Sequence, residues 1–115
     1  ANYLPSRLSA LLLIAASFFC RENGKNAWKI WRRDRRNHAS PNSAQTEAVM
    51  AGALSVQLAG PAWYFGEYYD KPTIGDPLRP VEPGDILRAN RMLYWGGFLS
   101  LILLCGIRAL ICILL

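Results

Sequence analysis

The sequence predicts an all-α integral membrane protein, with apolar helices at both ends and a Gly/Pro-rich functional loop between them. Three observations carry this. Apolar residues gather in charge-free runs at the two ends of the chain, 8–20 and 92–107. Residues 21–36 hold seven basic side chains against two acidic ones, a surplus that equals the formal charge of +5 of the whole chain. Residues 60–84 contain four glycines and five prolines, a density that few regular elements survive. With 115 residues and 52% hydrophobic content the chain suffices for one compact unit, which excludes a large multidomain enzyme. It is too apolar for a disordered tail, and three unevenly spaced cysteines argue against a disulfide-stapled scaffold.

Residues 1–20 form the first apolar helix. The run from Leu8 to Cys20 is thirteen residues long, short of the ~20 that cross a bilayer as a helix, so a buried or re-entrant helix fits as well as a full span. Residues 21–36, with Arg21, Lys25, Lys29, Arg32, Arg33, Arg35 and Arg36, have the layout of a cytoplasmic basic flank next to a membrane segment. Residues 37–91 carry a helix and a loop. Pro41-Asn42-Ser43 suits a helix start, with Asn42 or Ser43 as cap, Gln45 three residues after Asn42, and Glu47 in the first turn, where the helix dipole favours an anion. The spacing predicts that this helix runs to about Leu58, ending at Gly60-Pro61. Its Ala48, Ala51, Gly52, Ala53 and Ser55 are small enough to admit a neighbouring backbone. A turn-rich loop then packs Trp63, Tyr64, Phe65, Tyr68 and Tyr69. Pro83 opens a further helix that nothing breaks before Gly96-Gly97 and that feeds into residues 92–115, a transmembrane helix about 36 Å long; Arg108 within it leaves a buried hairpin partner of the first apolar segment as the alternative.

The basic stretch with Trp28 and Trp31 suits an anionic membrane surface beside an apolar segment better than nucleic acid, so membrane lipid is the expected partner and nucleic acid is not. Cys20, Cys105 and Cys112 lie in apolar runs and read as buried thiols, and His38 has no second ligand at helical spacing, which argues against a metal centre built from them. Glu67 to Asp76 places three carboxylates and Lys71 in one Gly/Pro-bounded loop. Long irregular loops of this kind hold binding residues as often as they merely connect. No Walker A and no dinucleotide-binding glycine pattern is present.

Beyond composition, particular words of the sequence are informative: His38-Ala39-Ser40-Pro41-Asn42-Ser43, then Glu47-Ala48, Met50-Ala51-Gly52-Ala53-Leu54, Gly60-Pro61, Tyr64-Phe65-Gly66 and Lys71-Pro72-Thr73-Ile74-Gly75-Asp76. Together with Asn2-Tyr3-Leu4-Pro5-Ser6-Arg7-Leu8 and the stretch from Glu82-Pro83 to Arg91, they resemble the adenosylcobinamide-phosphate synthase family of membrane-bound cobalamin-biosynthesis enzymes. The resemblance covers nearly the whole chain and matches the C-terminal portion of a longer single-domain enzyme, whose N-terminal part is then a partner this chain requires. Where the family usually continues Ser-Pro-Asn with Gly-Trp-Pro, this chain has Ala44-Gln45-Thr46.

The resemblance implies an ATP-dependent ligase forming an amide between adenosylcobyric acid, a corrinoid, and aminopropanol or aminopropanol phosphate. It implies ATP and Mg²⁺ as cofactors and a multi-pass cell inner membrane location; the basic flank itself predicts that residues 21–36 are cytoplasmic, with the central loop on the same face if nothing between Asn37 and Asn90 spans. On it, the candidate catalytic residues are His38, Glu47, Lys71 and Asp76: Asp76 and Glu47 as metal or phosphate-side carboxylates, Lys71 as anion clamp, His38 as acid or base. Asp34, four residues before His38, can orient it if the segment is helical. The candidate substrate-binding residues are Asp34, Ser40, Asn42, Tyr64, Gly66 and Gly75. The competing implication is a noncatalytic or degenerate membrane subunit that keeps the packing motifs without turnover.

Overall fold

A computed structural model describes residues 3–37, 41–70 and 72–115, and for Pro41 and Tyr64 the backbone alone. Four helices dominate: α1 (Tyr3–Phe19), α2 (Gly24–Asp34), α3 (Pro41–Leu54) and α4 (Gly84–Leu114). The expectation of an all-α chain needs one correction. Between α3 and α4 lie four short strands, β1 (Leu58–Ala59), β2 (Ala62–Tyr64), β3 (Glu67–Tyr69) and β4 (Thr73–Ile74), paired antiparallel as β1 with β4 and β2 with β3. Turns every few residues leave room for two-residue and three-residue pairings only.

Helix α3 is the centre of the fold. Ala44, Ala48, Val49, Ala51, Ala53 and Leu54 are all buried, and α1 and α2 both pack on it. Its small residues let the neighbours come close, as the sequence suggests: a Cβ on Gly52 would lie 2.6 Å from the Asn26 carbonyl oxygen and 2.7 Å from the Ala27 Cα. Asn26 Nδ2 donates to the Gly52 carbonyl (2.8 Å), and Trp31 Nε1 donates to Gln45 Oε1 (2.9 Å) inside the same interface. At the other face Ser6 Oγ donates to Asn42 Oδ1 (3.2 Å), tying the first turn of α3 to α1. Helix α3 begins at Pro41, so Glu47 sits in the second turn rather than the first.

Two helices close through a left-handed residue that is not glycine. In α1, Arg21 takes φ +59°, with its N–H on the Phe18 carbonyl and the Glu22 N–H on the Ser17 carbonyl. In α3, Ser55 takes φ +59°, with its N–H on Gly52 and the Val56 N–H on Ala51. Both are Schellman closures with a non-glycine residue in the left-handed position. The second ends α3 at Leu54, four residues before the expected Leu58, which instead pairs with Ile74 in the β1–β4 ribbon.

Helix α4 is continuous for 31 residues through Gly96 and Gly97. Its first half packs on α1, with Leu13 against Gly96 and Phe19 stacked on Trp95 at 5.1 Å. From Leu101 onward every residue is exposed. This is the one helix among the described residues long and apolar enough to cross a membrane; α1, with 17 residues, is shorter. Cys105 and Cys112 lie on that exposed stretch, and of the three cysteines expected to be buried only Cys20 is.

The aromatic loop also differs from expectation. Residues 62–69 form a two-residue hairpin whose tip, Phe65 (φ +52°) and Gly66 (φ +80°), has the positive φ pair of a type I′ turn. Trp63, Phe65, Tyr68 and Tyr69 are exposed rather than packed, and Trp63 and Tyr68 meet across the strands at 5.3 Å.

Candidate functional site

The end of α2 meets the end of β4 around one buried carboxylate. Asp34 is the last residue of α2, and its side chain is only 6% exposed although four arginines surround it in sequence. The amphipathic helix puts Ala27, Ile30, Trp31 and Asp34 on one inward face, while Lys25, Trp28, Lys29 and Arg32 face outward. A charge placed on the buried face requires partners, and Asp34 has four donors. Arg33 Nε reaches Oδ1 and Arg33 Nη2 reaches Oδ2, both at 2.8 Å. The Gly75 N–H reaches Oδ2 at 2.7 Å, and Asn37 Nδ2 approaches Oδ1 at 3.4 Å while donating to the Thr73 carbonyl at 3.0 Å.

The same guanidinium holds a second carboxylate. Arg33 Nη1 donates to Asp76 Oδ2 (3.1 Å), and Arg33 Nη2 lies 2.9 Å from Asp76 Oδ1. Asp76 is one-third exposed, so the pair of carboxylates has one buried and one open member. Burial works to raise the Asp34 carboxyl, but the Arg33 hydrogen bonds, the Gly75 N–H and the Arg33 charge outweigh it and leave the pKa below the ordinary value. The fold also dictates the glycine beside Asp76. Gly75 has φ +87°, and a Cβ there would lie 2.5 Å from the Val56 carbonyl oxygen and 2.9 Å from the Ala51 Cβ.

A second ionic cluster secures the far end of the same loop. Asp85, in the first turn of α4, pairs with Arg79 and with Arg88 (2.8 Å) and accepts the Glu82 N–H (2.9 Å). The Arg79 hydrogen bond, ahead of the Glu82 N–H, holds the Asp85 carboxyl far below the usual carboxylate range. Residues 73–85 are thus pinned at one end to α2 and at the other to α4.

Of the residues singled out in the sequence, the structure brings Asp34, Gly75 and Asp76 together. Asn42 is engaged with Ser6 of α1, Glu47 is part-buried on α3, and Gly66 forms the hairpin tip beside Tyr64 of β2. Gly66 has open space around the position of a Cβ, so its turn conformation rather than crowding favours glycine there. His38, Ser40 and Lys71 lie outside the described residues. Helix α2 stops at Asp34 and the Asn37 N–H returns to the Asp34 carbonyl at 2.9 Å, so the described residues before His38 do not continue the helix. Asp34 organises the loop before Asp76. Arg33 and Asn37 are the residues that sequence reading missed, since an arginine in a basic run looks like a solvated charge. Among the described residues no three His, Cys, Asp or Glu side chains group as a metal-ligand set.

A family model described as CobD/Cbib protein matches residues 1–93. The cobalamin biosynthesis protein CbiB of Salmonella typhimurium is 52% identical over 108 residues, covering 94% of this chain and 34% of that protein. Cobalamin biosynthesis protein CobD of Desulfotalea psychrophila is 50% identical over 99 residues (86% and 30%), and that of Clostridium perfringens 46% over 110 residues (96% and 35%). No solved structure matches. The chain spans about a third of the length of these curated relatives. With a family match over most of its length and relatives near half identity, the chain belongs to the CobD/CbiB protein family of cobalamin biosynthesis.

Proposed function

We propose that this chain supplies part of the active site of an ATP-dependent amide ligase that joins the carboxylate of adenosylcobyric acid to aminopropanol or its phosphate. The observation that carries the reading is the open carboxylate of Asp76, fixed by Arg33 beside the buried Asp34 in the Lys71–Asp76 loop that the family resemblance singles out. A free carboxylate does not condense with an amine; ATP with Mg²⁺, when bound, would supply the activation, and the carboxylate oxygen would leave as phosphate or AMP when the amide forms. Mg²⁺ keeps several waters and takes one or two carboxylates together with substrate phosphates, and the one-third-exposed Asp76 would supply one of them. Asp76 and Glu47 are the carboxylates for that side, and Lys71 holds phosphate oxygens as a point charge. His38 accepts the proton that the attacking amine must lose. Asp34, Ser40, Asn42, Tyr64, Gly66 and Gly75 shape the substrate side. The exposed faces of Trp63 and Tyr68 beside Tyr64 suit stacking on a conjugated ring.

The test is turnover in detergent, by this chain alone and joined to the N-terminal part of a family member. Replacing Asp76 or Lys71 by Ala in the joined enzyme is expected to lower turnover far more than ten-fold, whereas near-normal rates remove them from the site. The noncatalytic reading draws on Ala44-Gln45-Thr46. Gln45 is buried and accepts from Trp31, so this departure from the family pattern belongs to the core of the fold. Silence of both forms in the assay favours that second reading.

The apolar α4 helix supports a location in the cell membrane, and the basic α2 beside an apolar segment supports residues 21–36 and the central loop being cytoplasmic; the multi-pass arrangement rests on the family resemblance. An engineered cysteine near Lys71 should then react with an impermeant thiol reagent in inside-out vesicles and stay protected in right-side-out ones. The reverse pattern overturns the orientation.

A further inference from the structure

We infer that Arg33 is the positioning residue for Asp76, holding that carboxylate at a fixed place and angle against the buried Asp34 so that its remaining lone pairs face a hydrated divalent cation. The inference deepens the reading above and rests on Asp76 serving the phosphate side. A guanidinium is planar and has two edges that each match a carboxylate. In Arg33 the Nε/Nη2 edge lies on Asp34 and the Nη1/Nη2 edge on Asp76, so one plane carries both acids.

Asp34 is in turn fixed by the N–H of Gly75, the residue immediately before Asp76. The loop is therefore held twice, by its backbone at Gly75 and by its side chain at Asp76. Each Asp76 oxygen uses one lone pair on Arg33 and keeps another. The trio of Asp34, Arg33 and Asp76 carries a formal charge of −1, and Asp76 is its open carboxylate. Arg33 itself is 44% exposed, so burial of its own side chain is not what it contributes. A ligating carboxylate oriented by an outer hydrogen-bond partner is the general arrangement for such sites, and loss of that partner commonly costs 10–100-fold in metal affinity.

The test uses the enzyme carrying this chain joined to its N-terminal part, with Mn²⁺ and a nonhydrolysable ATP analogue as probe. Binding is read from the loss of the free Mn²⁺ paramagnetic resonance signal, and melting temperature is measured in parallel. Arg33→Lys keeps the charge but places a single point donor where two edges are needed, and is expected to weaken Mn²⁺ binding about ten-fold. Asp76→Asn should weaken it at least as much, and the double variant no more than Asp76→Asn alone. Arg33→Gln, measured alongside, gives the same direction and stands in if the lysine variant fails to melt cooperatively.

An Arg33 variant that melts cooperatively and binds Mn²⁺ like the parent, while Asp76→Asn does not, overturns the inference and leaves the role of Asp76 standing. Effects of Arg33→Lys and Asp76→Asn that simply multiply in the double variant overturn it as well, because Arg33 then acts through something else. Mn²⁺ binding unchanged by Asp76→Asn overturns both the inference and the reading it rests on.

Discussion

Replacing Asp34 by alanine is expected to destabilise the fold by about 3 kcal/mol, the low end for breaking a buried ion pair, and to lower the melting temperature by roughly 10 °C for a chain of this size. The low end is appropriate because Arg33, 44% exposed, can turn to water when its partner is removed. The Gly75 N–H cannot: Gly75 is buried, and losing its acceptor leaves an orphaned donor. Asn37 also loses one of the two groups that fix it between α2 and β4. Asp34→Asn should cost about half as much on the same reasoning, since its amide oxygen still accepts from Gly75 while its NH₂ group faces Arg33. Thermal melts of the three proteins in one detergent check the order. An alanine variant that melts with the parent would show that the α2–β4 junction contributes nothing to folding.

The pH dependence follows with a definite sign. A carboxyl whose folded pKa lies below its unfolded value binds fewer protons in the native state. Its stabilisation is complete above the unfolded value of about 3.9 and is lost as pH falls through the lower folded value. Asp34 and Asp85 are both depressed, so the midpoint of denaturant unfolding should fall steeply below about pH 4. Asp34→Asn should flatten part of that slope.

How much of this was legible depended on whether the signal was local. The continuity of α4 follows from the absence of any proline after Pro83 and the charge-free run at 92–107, and the close packing of α3 from its alanines and Gly52; both are written within one helix. The ends of α1 and α3 were not legible, because Arg21 and Ser55 occupy left-handed positions that glycine usually marks. Leu58 continued the four-residue repeat of Met50 and Leu54 and so imitated helix while belonging to a strand. At the site, Lys71 to Asp76 stood out as a loop with carboxylates. The residue that organises it lies 43 positions away, and in sequence Arg33 is one arginine among several. Only the pairing of β4 against β1 and the close approach of α2 to α3 bring Asp34 to Gly75.

That approach gives the second large effect. Gly52→Ala is expected to destabilise the protein by about 2 kcal/mol or more, although alanine is the better helix former by about 1 kcal/mol. The added Cβ would sit 2.6 Å from the Asn26 carbonyl oxygen and 2.7 Å from the Ala27 Cα, both backbone atoms that cannot rotate aside. The helices must separate instead, and overpacking of this kind costs typically 1–3 kcal/mol and occasionally more. Separation would also stretch the Asn26 to Gly52 and Trp31 to Gln45 bonds that cross the same interface. Helix α2 carries Asp34 at its end, so a shift at Gly52 should also disturb the contacts that fix Asp76 and weaken activity together with stability. Gly97→Ala provides the contrast, since a Cβ there meets nothing within 4 Å and no loss is expected. Melting of the two variants side by side separates close approach from helix propensity: equal behaviour would mean that α2 and α3 are not held together at Gly52.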